Sequence, residues 1–172
     1  MPVTPYHFGP SGLIGLAFRK RLDLPVFVLA NVAVDVEVLL HHRYGHTLLV
    51  GALVGMVWGL AAYPLRGRFQ KVMAALRLPY QTGLIKMIVS GILGAWCHVL
   101  IDGAYHINAK VFWPSTFIFW RIVQPYLGGQ KGIKILCLVG WAAAIGLYTW
   151  IVLKRQRSDR QGPNVTSRPI KP

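Results

Sequence analysis

Thr47 to Leu65 holds no charged side chain over 19 positions, and Ile133 to Leu153 holds only Lys134, at its edge, over 21. A bilayer core takes about 20 residues of apolar helix, so both stretches are predicted membrane spans. Leu84 to Ile101 is a third run, with Lys86 near its start and His98 and Asp102 at its end. Leu24 to Leu40 is a fourth. It opens on Pro25, whose missing N–H costs nothing in a first helical turn. Pro10 to Phe18 is apolar but short, which leaves open whether it crosses the membrane or is half-inserted. The expected fold is all-α: a polytopic transmembrane helical bundle of about four to five membrane segments, with an aromatic interfacial segment.

Between the spans the chain changes character. Arg66, Arg68, Lys71 and Arg77 fall in a polar connector that reads as a short amphipathic helix ended by Pro79. From Gly103 to Lys131 the sequence is aromatic and is expected to be irregular; Trp and Tyr favour the headgroup level, which places F-W-P-S-T-F-I-F-W at 112 to 120 along the interface. Residues 1–155 form the expected membrane-embedded domain. Residues 156–172 read as a basic, disordered cytoplasmic tail with little to bury.

A formal charge of +14 raises the question of nucleic acid. The Lys and Arg residues form no aromatic-interleaved patch and gather instead at the ends of apolar runs, so no nucleic-acid partner is expected. If each run crosses once, 14 of the 19 basic residues fall on one side and 5 on the other. The positive-inside rule makes the larger set cytoplasmic, with the C-terminus on that side. Cys97 and Cys137 lie far apart in apolar runs and read as small buried side chains. The N-terminus lacks the basic region of a signal peptide and is expected to be retained.

The same threading collects His7, Asp35, Glu37, His41, His42, His46, His98, Asp102 and His106 at the opposite, outer end. A carboxylate near the membrane core costs about 2.5 to 3.5 kcal/mol even on lenient insertion scales, so Asp35, Glu37 and Asp102 need partners. A divalent metal held by carboxylates and imidazoles would satisfy several of them together. His98 and Asp102, at i and i+4, project from one helix face, which His106 would extend if the helix persisted; His42 and His46 repeat the spacing across Gly45. The alternative for His98 and Asp102 is an imidazole–carboxylate hydrogen bond that packs two helices. His41 reads as an interfacial turn residue and His106 as a loop residue.

In order, His7, Asp35-x-Glu37, His42-Arg43 leading to His46-Thr47, His98-x-x-x-Asp102 and Trp113-Pro114 resemble the motifs of bacterial membrane-bound metal-dependent hydrolases, described as LexA-binding and inner-membrane-associated. The likeness covers residues 1 to about 155, with Val34 where that family usually has proline. That family is in turn similar to zinc-dependent phospholipase C. The resemblance implies that the membrane is a bacterial inner membrane, that Asp35, His46, His98 and Asp102 hold one metal, that His7 with Asp102 holds a second, and that His42 is a further candidate ligand. The H-x-x-x-E that completes the phospholipase cluster is absent, so a three-metal site is not expected. The expected function is hydrolysis of an ester or phosphoester, with a membrane lipid as a candidate substrate. It would proceed through a metal-activated water, with Asp35 or Glu37 as general base and zinc as the expected cofactor. The other reading is a non-enzymatic metal-binding or proton-relaying membrane protein with a transport or assembly role.

Overall fold

A computed structural model describes residues 4–38, 46–107, 109–115 and 117–160, and among these there is no strand. The helices are α1 (Phe8–Ala17), α2 (Leu24–Val38), α3 (Leu48–Ala62), α4 (Arg66–Ala75), α5 (Leu84–Tyr105), α6 (Phe119–Leu127) and α7 (Gly129–Arg160). Short 3-10 turns at Thr4–Tyr6 and Tyr63–Leu65 lead into α1 and join α3 to α4. Three helices are long and apolar enough to cross a membrane: the continuous rod Leu48–Ala75, α5 and α7. Phe8–Ala17 and Leu24–Asp35 are shorter apolar helices. Large apolar side chains point outward from α3 and α7, among them Leu53, Val57, Leu136, Val139 and Trp150. A soluble monomer rarely exposes such a surface, whereas lipid covers it at no cost.

Helix α5 is the centre of the bundle, packed by α3 on one side and by α2 on another, while α1 lies along α7. Lipid tails are as apolar as Leu, so helices in a bilayer gain contact chiefly by close approach, which small residues permit. Gly55 of α3 meets Gly91 of α5 backbone to backbone, and a Cβ on either would collide with the other's carbonyl. Gly94, one turn before His98, admits the carbonyl of Phe27 from α2 in the same way. That approach brings the far end of α2 to the far end of α5.

Two buried polar links fix the ends. At the basic end, Asp23 is fully buried ahead of α2. Its Oδ1 accepts from the Val26 N–H at 3.2 Å, an N-cap bond. Its Oδ2 accepts from the hydroxyls of Tyr80, at 2.8 Å, and Thr82, and its own N–H donates to Ser90 Oγ at 2.7 Å. Burial, and then the bond to Asp23, hold the Tyr80 phenol above its ordinary pKa. At the other end, Thr47 caps α3 by accepting from the Val50 N–H, and the Leu48 N–H donates to the Val111 carbonyl.

Two expectations need correction. The stretch from Gly103 to Lys131 is not irregular throughout: α5 runs to Tyr105, α6 spans Phe119–Leu127 and α7 begins at Gly129. Its aromatic crowding hid an amphipathic helix that tolerates Pro125. The last helix continues past Arg155 to Arg160, so the start of the expected tail is helical; residues 161–172 lie outside the described part. By contrast, His106 lies past the end of α5 with an extended backbone, as expected of a loop residue, and does not continue the His98–Asp102 face.

Candidate metal centre

Five of the residues singled out in the sequence come together where α1, α3 and α7 begin and α2 and α5 end. Asp102 and His98 face inward from the last turns of α5, 5% and 0% exposed. His7 immediately precedes α1 and is 1% exposed. Its Nε2 lies 3.1 Å from Asp102 Oδ1. His46 sits just before the Thr47 cap, so the start of α3 sets its direction; its Nε2 is 3.0 Å from Asp102 Oδ2. Asp35, near the end of α2, places Oδ1 3.2 Å from His98 Nε2.

The imidazoles also pack on one another. His7 and His98 stack with ring centroids 4.3 Å apart and 24° between planes, and His46 is tilted against His98 at 5.6 Å. The ligating atoms fall into two overlapping triads, His7–His98–Asp102 and Asp35–His46–His98, each within 4.8 Å. Access is one-sided: the Asp35 and His46 side chains are 28% and 19% exposed, against 2%, 0% and 7% for His7, His98 and Asp102.

Hydrogen bonds alone leave the cluster incomplete. His98 Nε2 is buried 3.2 Å from Asp35 Oδ1 and 3.5 Å from Asp102 Oδ2, two carboxylates that a single ring N–H cannot serve together, and His7 Nδ1 and His98 Nδ1 are buried without a partner among the described residues. The four imidazole–carboxylate separations are 3.0 to 3.5 Å, close to the edge of about 3.3 to 3.4 Å of a tetrahedron with ligand bonds of about 2.0 to 2.1 Å, and the remaining separations within each triad stay under 4.8 Å. The three imidazoles and two carboxylates are the hard-to-borderline donor set that zinc accepts. These residues fit a divalent ion.

Of the remaining candidates, only His106 has a described side chain. His41 and His42 lie outside the described residues, and so does the side chain of Glu37, which belongs to α2. His106 turns its ring edge-on to Tyr105 at 5.0 Å, and burial holds it below the usual histidine pKa.

No family model, no curated protein and no solved structure matches the chain. The functional reading rests on the site itself.

Sequence reasoning passed over a layer behind His7. Ser11 Oγ donates to the His7 carbonyl at 2.6 Å and accepts from Asn31 Nδ2 at 3.0 Å, both residues being fully buried. Asn31 thereby ties α2 to the start of α1. The signal was present: an amide in an otherwise apolar run, four residues before Asp35, needs a partner inside the bundle.

Proposed function

We propose that the chain is a metal-dependent membrane hydrolase acting on an ester or phosphoester, in the manner of the bacterial membrane-bound hydrolases whose motifs it resembles. The observation that carries this reading is the buried Nε2 of His98 shared between two carboxylate oxygens, with four further ligand-type side chains around it. His7, His46, His98, Asp35 and Asp102 would hold the ion. When bound, zinc or a similar cation polarises the scissile group and makes a bound water acidic enough to attack near neutral pH.

The protein's own residues supply the rest. Asp102 contacts all three imidazoles and sets which ring nitrogen faces the centre. Asp35, the more exposed carboxylate, is the group placed to take a proton from the attacking water. Stacked rings and the packing of Val34, Val99 and Val111 alongside keep bulk water from the closed side. A lipid is the favoured substrate, because the open side lies at one end of a bundle whose walls are themselves lipid-facing. The positive-inside rule supports placing that end at the outer face and the C-terminus in the cytoplasm, and the family resemblance supports a bacterial inner membrane.

The test is turnover of lipid and phosphoester substrates by metal-loaded protein in detergent. Hydrolysis that disappears in Asp35→Asn and His98→Ala supports the proposal. Metal-dependent activity seen only across a sealed vesicle would favour a transporter instead.

A further inference from the structure

The opposite, basic end carries a second feature that the hydrolase reading does not use. Where α4 stops, Leu78 N–H reaches back to the Met73 carbonyl at 2.9 Å, closing a terminal turn that requires a left-handed residue at Arg77. Arg77 has φ 56°, a conformation that glycine adopts freely and arginine does not. Helix α7 clasps this turn twice, through Tyr148 Oη to the Leu76 carbonyl at 3.2 Å and Arg155 Nη1 to the Arg77 carbonyl at 3.1 Å. Beside the second clasp lies an open cleft of about 370 Å³, with the exposed Arg77, Arg155 and Asp159 at its rim and the more buried Leu78 and Val152 beneath them.

We propose that this cleft binds the phosphate headgroup of an anionic phospholipid from the surrounding leaflet. Charge and surface both point there. The arginine guanidinium matches phosphate oxygens in a planar fork, and Arg155 spends only one of its several donors on the Arg77 carbonyl. Asp159 offsets one of the two rim charges and leaves the cleft net positive; Arg157 and Arg160 at the end of α7 add to the field. The floor favours a lipid over a free anion: Leu78 belongs to the buried apolar cluster with Leu16, Met73 and Ile151, and Val72, Leu76 and Leu153 stand exposed beside the cleft where acyl chains would lie. Basic pockets between membrane helices at a charged leaflet are suited to anionic headgroups. A strained non-glycine residue at the rim is a cost that a ligand contact explains.

The experiment uses the full chain in neutral detergent, offered equal phosphatidylglycerol and phosphatidylcholine, with retained lipid counted by native mass spectrometry. Phosphatidylglycerol should be retained about tenfold over phosphatidylcholine. That preference should vanish in the double variant Arg77→Gly with Arg155→Gln and survive in Lys20→Gln with Lys71→Gln, which removes equal charge away from the cleft. Millimolar inorganic phosphate should not displace the lipid. Equal retention of the two lipids, an unchanged preference in the cleft variant, equal loss in the control variant, or release by phosphate would each overturn the proposal. If the cleft variant does not fold, the two-lipid comparison and the phosphate competition on the unaltered chain still decide it.

Discussion

Nε2 of His46 stands 3.0 Å from Oδ2 of Asp102, joining the residue that precedes α3 to the last turns of α5. The contact depends on where α3 begins, and Thr47 fixes that point with its side-chain cap on Val50. Thr47→Ala should therefore cost about 1 kcal/mol of stability and weaken metal binding together, whereas Thr47→Ser should preserve both. Thermal unfolding and metal titration of the two variants check this.

Close approach of α3 to α5 is equally necessary. Gly91→Val puts side-chain atoms into the Gly55 carbonyl, and the overpacking should cost about 1 to 3 kcal/mol while loosening His46 from the cluster. Gly67 in α4 faces open space, so Gly67→Ala should be neutral or stabilising by about 0.5 to 1 kcal/mol. Unfolding in detergent separates the two outcomes.

The contrast between these glycines shows what the sequence could and could not convey. Uncharged runs announced α3, α5 and α7 because a bilayer leaves helix as the only economical backbone for such segments. His98 and Asp102 were legible for a similar reason, since ionisable groups in an apolar helix need a partner. The contact between Gly55 and Gly91 was not legible, because small residues mark a close approach without naming the helix that makes it. Asp23 was missed on other grounds. Next to Arg19, Lys20 and Arg21 it reads as a solvated counter-charge, yet three hydroxyls and a backbone N–H enclose it completely.

The layer behind His7 should matter for metal affinity more than for fold. Ser11→Ala removes the hydroxyl that holds the His7 carbonyl and receives Asn31, so metal affinity should fall on the order of tenfold. A metal titration of Ser11→Ala and Ser11→Thr checks it; Thr keeps the hydroxyl and should lose less.

Tyr80 supplies a pH signature at the other end. Its phenol is held neutral by burial and by donation to Asp23, so its folded pKa is raised above 10.0. The bond's contribution is complete below that pH and is lost as pH rises through the folded value. The unfolding midpoint should thus fall more steeply above pH 10.0 in the natural chain than in Tyr80→Phe, which should itself be destabilised by about 1 to 3 kcal/mol near neutrality.

The central claim is that His7, Asp35, His46, His98 and Asp102 share a cation. Elemental analysis of protein purified in zinc-containing buffer, beside Asp102→Ala and His98→Ala, tests it directly. At least one zinc-like ion per chain is predicted for the natural protein, with most of it lost in each variant. A folded natural chain that carries no metal, or variants that keep all of it, would contradict the account.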